Sequence, residues 1–266
     1  MNIIAGLIAF ALYLVSTLGL FLRLKGDGFF SRKPIATILL PGFAAVILHA
    51  LILYNQLVGI SGLQFGFFDA ASSVTIVISL LVLAISIKRR TEVLALIILP
   101  ISALTLLAQN LTPSSYMLPY DAPQGLKIHV LVSLIAYSLL GLAACMSVVL
   151  SLQNTMLHNH QPGGWLKKLP PLQVMEKLLF DSIVAGFIGL TLALLSGFIF
   201  LEDLFAQQLA HKTLLSIIAW LVFAILLGGR FTLGWRGRTA IRWTLGGFIS
   251  LMLAYFGSKF VFEFII

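Results

Sequence analysis

The chain has 266 residues, of which 60% are hydrophobic and only 10% charged, and its formal net charge is +8. This balance excludes an ordinary water-soluble domain and predicts an integral membrane protein. The basic excess sits in short segments between apolar runs, so nucleic acid is not an expected partner, and the one cysteine, Cys145, lies inside an apolar run, which excludes a disulfide framework, a zinc cluster and a Cys-x-x-Cys redox pair.

A hydrocarbon core of about 30 Å takes about 20 apolar residues per helix, and the sequence supplies eight such spans. The first runs from Ile3 to Leu22, with neither a basic leader nor a small-x-small cleavage pattern, so no cleavable signal is expected. Arg23, Lys25, Arg32 and Lys33 follow it. The second opens at Pro34, a favoured first-turn residue, and reaches Tyr54, with a kink predicted at Pro41-Gly42. The third starts near Asp69 as N-cap and closes with Lys88-Arg89-Arg90. The fourth, Val93 to Gln109, contains Pro100 and leads into a polar loop. The fifth covers Ile128 to Leu152, and the longest loop follows it, with Gly163-Gly164-Trp165 and Pro170-Pro171. The sixth, seventh and eighth spans are Leu178 to Phe200, Thr213 to Gly229 and Trp243 to Ile265.

Fourteen of the 17 lysines and arginines fall in or beside the connections after the first, third, fifth and seventh spans. Only Lys127, Lys212 and Lys259 lie on the opposite side. The positive-inside rule then puts both termini on the outer, periplasmic face. The expected fold class is all-α, a polytopic bundle of eight transmembrane helices in one membrane domain covering 1–266, with the lipid bilayer as its first partner.

No nucleophile–base pair, metal set or phosphate loop stands out, so an enzyme is not expected. Histidines at membrane depth are the functional candidates, because buried ligating side chains are costly there. His158 and His160 read as solvated loop residues, and His211 as an interfacial one. His49 lies five residues from Tyr54, roughly 7–8 Å below the outer end of its helix. His129 opens the fifth span and is followed at steps of four by Ser133, Tyr137, Gly141 and Cys145, a small and polar stripe on one helix face. That stripe reads equally as a packing seam against a neighbouring helix. His49 and His129 are the candidate ligating side chains, expected to face one cavity, and Lys127 and Lys212 lie on the same side. The simpler readings of the lysines are snorkelling and, for Lys259, a pair with Glu263.

Between the last two spans, Arg230, Arg236, Arg238 and Arg242 flank Gly234-Trp235-Arg236-Gly237. Glycines permit the sharp turn, Trp235 suits the headgroup level, and arginines hold phosphates. Arg236 is the expected anchor. The run Trp220 to Leu227, this turn, Gly246-Gly247-Phe248 and Tyr255-Phe256-Gly257 resemble the C-terminal part of the cytochrome c assembly family, polytopic heme-handling membrane proteins, and within it the small inner-membrane YpjD/HemX-like branch. The segment His129 to Ser138 resembles the family helix whose opening histidine is taken to ligate heme iron. Leu169 to Leu172, Glu176-Lys177-Leu178, Leu190-Thr191 and Ser196-Gly197 extend the likeness over about 128–260. The first four spans match only in hydropathy and topology.

The resemblance implies heme as cofactor, with His49 and His129 as candidate iron ligands and Lys127 and Lys212 as weaker candidates for meeting its propionates, a bacterial inner membrane and a role in heme handling or cytochrome c assembly. Departures qualify this. Family members that deliver heme carry a tryptophan-rich segment ending in Asp-Pro before the penultimate helix, whereas Phe205 to Lys212 contains no tryptophan. The family histidine near the end of that helix is replaced around Gly228-Gly229, and the outer histidine expected after the last helix has no counterpart before Ile266. The alternative is therefore a heme-free accessory or scaffold subunit that binds another inner-membrane protein. A small-solute carrier ranks last, since acidic residues sit only near span ends.

Overall fold

Inside a bilayer every backbone N–H and C=O must find a partner within the protein, so a chain of this hydropathy closes into helices. The computed structural model describes residues 2–26, 28–57, 63–64, 66–112, 117–118, 123–159, 169–200 and 210–260. The helices are α1 (Asn2–Lys25), the short α2 (Gly28–Arg32), α3 (Ile35–Leu57), α4 (Phe67–Lys88), α5 (Glu92–Leu111), α6 (Gln124–His158), α7 (Leu172–Phe200), α8 (Ala210–Leu233) and α9 (Arg238–Met252), which Leu253–Gly257 prolongs as a π-turn. Eight of them are long and apolar enough to cross a membrane, matching the eight spans read from the sequence. Among the described residues the β structure is one antiparallel bridge, Leu63 opposite Leu118 and Gln64 opposite Met117.

Helix ends reach beyond the apolar runs, because polar residues in the first and last turns are free to stay in the interface. α4 begins at Phe67, not at Asp69; the Asp69 carboxylate reaches back to accept from the Gly66 N–H at 2.9 Å, the N3 half of a capping box. α6 begins at Gln124 behind Pro123 and continues through His158, so His129 lies in its second turn and His158 in its last. α7 begins directly after Pro170-Pro171, in keeping with proline at helix starts. Pro41 and Pro100 lie inside α3 and α5, and both helices run through them.

The sequence reading takes 1–266 as one membrane domain; by proximity the chain groups into two compact units, Met1–Tyr120 with Gln161–Pro170, and Asp121–His160 with Pro171–Ile266. In the first unit α1 packs on α3 and α5, and α4 packs on α3 and α5, which closes a ring of four helices. Gly42 lets α3 come close to its neighbours: a Cβ there would lie 3.0 Å from Ser16 Oγ and 3.1 Å from Leu83. In the second unit α6 packs on α7 and α9, and α8 packs on both α7 and α9, again a ring of four. Its tightest seam joins α6 and α7. A Cβ on Gly186 would lie 2.7 Å from Leu140, and one on Gly189 3.0 Å from that of Ala136. Small residues at such a seam allow close backbone approach, the usual membrane solution.

Candidate functional site

His129 is half-buried within the second unit. Its Nδ1 lies 3.0 Å from the Ser196 hydroxyl of α7, and that hydroxyl donates to the Ala193 carbonyl at 2.9 Å. The α6–α7 seam brings the two side chains together, 67 residues apart in the chain. Further along the stripe, the Tyr137 ring meets Phe248, Tyr255 and Phe256 edge-on, with centroids 5.7, 6.5 and 5.5 Å away. Tyr137 therefore packs against α9 and its π-turn, which bears out the packing reading for this part of the stripe. Its hydroxyl is buried without a hydrogen-bond partner.

His49 has a different setting, inside the first unit. It is fully buried, at 0% exposure, and so are Tyr13 and Ser72. Its Nδ1 lies 3.1 Å from the Tyr13 hydroxyl on α1, and its Nε2 lies 2.7 Å from the Ser72 hydroxyl on α4. The Tyr13 and His49 rings meet edge to face at 6.0 Å. Further hydroxyls continue the polar interior: Ser79 pairs with Ser102 at 2.7 Å, and Thr75 with Thr105 at 2.8 Å, joining α4 to α5. Hydrogen bonds of this kind hold membrane helices together where no water competes.

An axial heme ligand offers one imidazole nitrogen to iron and gains from a group that orients the other. His129 has this arrangement, with Ser196 on Nδ1. His49 does not, because both of its nitrogens are engaged by protein hydroxyls; binding iron requires breaking one of those bonds. His49 belongs to the first unit and His129 to the second. Among the described residues, no three His, Cys, Asp or Glu side chains gather as a metal set.

Lys127, in the first turn of α6, and Lys212, in the first turn of α8, are both half-buried in the second unit. Lys259 is 9% exposed. Its proposed pairing with Glu263, together with the tryptophan-poor stretch up to Leu209, falls outside the described residues.

The glycine turn differs instructively from the sequence reading. Arg230 lies in the last turn of α8, so the connection shrinks to four residues. Gly234 and Gly237 have φ of 67° and 58°, the region that favours glycine. Arg230 donates to the Trp235 carbonyl at 3.1 Å and lies 4.4 Å from the Phe180 ring centre. The Glu176 carboxylate of α7 accepts from the Gly237 N–H at 2.8 Å. Arg236 is exposed. Within the protein the turn is held by Arg230 and Glu176.

A sequence profile described as Cytochrome C assembly protein matches residues 37–266. The chain belongs to this family. The match reaches well into the first unit, where the residues alone had offered only hydropathy. Among relatives, Inner membrane protein YpjD of Escherichia coli K12 is 30% identical over 219 residues, covering 82% of this chain and 83% of that one. An uncharacterized 28.8 kDa protein of Azospirillum brasilense is 35% identical over 136 residues, half of each chain. Cytochrome c biogenesis protein CcsA of Prochlorococcus marinus is 26% identical over 202 residues, covering 64% of this chain and 63% of that one. No solved structure matches the chain. With its eight spanning helices and its YpjD relative, this member of the cytochrome c assembly family is a multi-pass protein of the bacterial inner membrane.

Proposed function

We propose that this family member binds heme and takes part in heme handling during cytochrome c assembly, with His129 as the iron ligand. The observation that carries the reading is the setting of His129: half-buried near the start of α6, with Nδ1 oriented by the Ser196 hydroxyl. Bound heme would supply an iron centre whose state depends on its axial ligands. The chain's own contribution is to orient that imidazole, to cover the macrocycle with apolar helix surface, and to offer the Lys127 and Lys212 ammonium groups to its carboxylates. Kinship with proteins named for cytochrome c biogenesis supports the assembly role. Both termini are assigned to the periplasmic side from the basic-residue asymmetry, which sets His129 near the periplasmic face.

Protein purified from heme-replete cells is expected to show a Soret band that falls strongly in His129→Ala and survives in His49→Ala. A colourless protein that also takes up no added hemin rejects the reading. The accessory-subunit alternative then leads; it is favoured by the absence of tryptophan from Phe205 to Lys212. Cysteines placed at Asn159 and His211, both exposed, are expected to label from opposite membrane sides, and labelling from the same side overturns the orientation.

A further inference from the structure

We infer that Ser196 is a positioning residue that fixes His129 in one tautomer, with the proton on Nδ1 and the lone pair on Nε2. The argument is a proton count. The Ser196 hydroxyl has one proton and two neighbours, the Ala193 carbonyl oxygen at 2.9 Å and His129 Nδ1 at 3.0 Å. A carbonyl oxygen only accepts, whereas an imidazole nitrogen donates or accepts according to its tautomer. If the hydroxyl gave its proton to Nδ1, two oxygen lone pairs would face each other across the Ser196–Ala193 contact. With the proton directed to Ala193, Oγ is left as an acceptor, and both contacts become hydrogen bonds only when Nδ1 carries a hydrogen. A neutral imidazole protonated at Nδ1 has its free electron pair on Nε2.

The local sequence builds this device. Ser196 bonds back to the carbonyl three residues earlier in α7, a common habit of serine within helices. That habit consumes the hydroxyl proton and turns Ser196 from a donor into an obligate acceptor. The packing that delivers Ser196 to His129 is the Gly186–Gly189 seam against Ala136 and Leu140. A free histidine in water favours the opposite tautomer, so the assignment opposes the intrinsic preference and is diagnostic.

The consequence for ligation rests on the heme reading above. A neutral hydroxyl acceptor leaves the imidazole neutral and less basic than a carboxylate partner would, so the site presents a neutral Nε2 ligand of fixed ring orientation. Removing such an orienting group typically weakens metal affinity by about 10–100-fold.

The test has two arms. Detergent-solubilised, heme-free protein labelled with ¹⁵N-histidine is examined by NMR at mildly alkaline pH, with the His129 signals assigned by their loss in His129→Asn. The expected result is a proton on Nδ1 in the wild type and in Ser196→Thr, and a shift toward protonated Nε2 in Ser196→Ala. A wild-type proton on Nε2, or a tautomer unmoved by Ser196→Ala, overturns the inference. In the second arm hemin is titrated into the same proteins. Affinity lost in Ser196→Ala and restored in Ser196→Thr extends the role to ligation. If the NMR result holds while His129→Asn binds hemin as the wild type does, the tautomer assignment stands and His129 is not the iron ligand.

Discussion

In the first unit an imidazole is enclosed by hydroxyls on both nitrogens, and in the second an imidazole is held by one hydroxyl and keeps a half-buried edge. The two histidines look alike in the sequence, each near the outer end of an apolar span. Their surroundings separate them. Both nitrogens of His49 are hydrogen-bonded to hydroxyls, joining α1, α3 and α4. His129 is half-buried and has one hydroxyl, that of Ser196, on Nδ1, the setting on which the proposed ligand role rests.

The sharpest way to break this contrast is thermal. His49→Ala leaves the buried Tyr13 and Ser72 hydroxyls without their shared partner and is expected to cost about 2–3 kcal/mol. His129→Ala leaves Ser196 bonded to Ala193, and its cost should stay below about 1 kcal/mol. Equal losses in a thermal unfolding series would erase the distinction. A second substitution attacks the seam. Gly186→Leu drives a side chain into Leu140, and overpacking of this kind costs about 1–3 kcal/mol; hemin uptake should fall with it, as α6 and α7 separate and Ser196 leaves His129. A fully stable Gly186→Leu protein would contradict the seam. Next comes the turn, where Arg230→Ala removes a carbonyl contact and a cation–ring contact and should cost about 1–2 kcal/mol, while Arg236→Ala leaves the melting temperature nearly unchanged. The reverse order would return the anchor to Arg236. A further small effect is that of Ser102→Ala, about 0.6 kcal/mol for each of its two contacts to α4, the Ser79 hydroxyl and the Thr75 carbonyl; a loss several times larger would mean that the hydroxyls of the first unit act as one cooperative network.

Much of the fold was legible because hydropathy is a one-dimensional signal. Each of the first seven spans falls on one long helix and the described part of the eighth on α9 and its continuation, and the family resemblance drawn from Trp220–Leu227 and the glycine turn agrees with the profile match. The boundaries were less legible. Gln124 to Lys127 is too polar to score as a span, yet it forms the first turn of α6 and moves His129 inward from the helix start. Asp69 signalled a helix start correctly but caps from the third helical position. At the site, the residue types were visible and the partners were not. Nothing near His49 announces Tyr13 or Ser72, since their meeting depends on how three helices pack. Ser196 was noticed as part of a small–glycine pair, and its hydroxyl gained meaning only once the α6–α7 seam set it against Nδ1. Arg236 drew notice for its place inside the motif, whereas the contacts within the protein are made by Arg230, six residues earlier.

The bond from Glu176 to the Gly237 N–H joins positions 61 residues apart, from the first turns of α7 to the last connection of the chain. A ribosome delivers Glu176 to the membrane long before it delivers Gly237. During synthesis this carboxylate therefore waits without its partner while α7 and α8 are already inserted. The second unit acquires this fastening only when the closing hairpin arrives, so a chain ended before Gly237 carries the Glu176 carboxylate without its Gly237 partner.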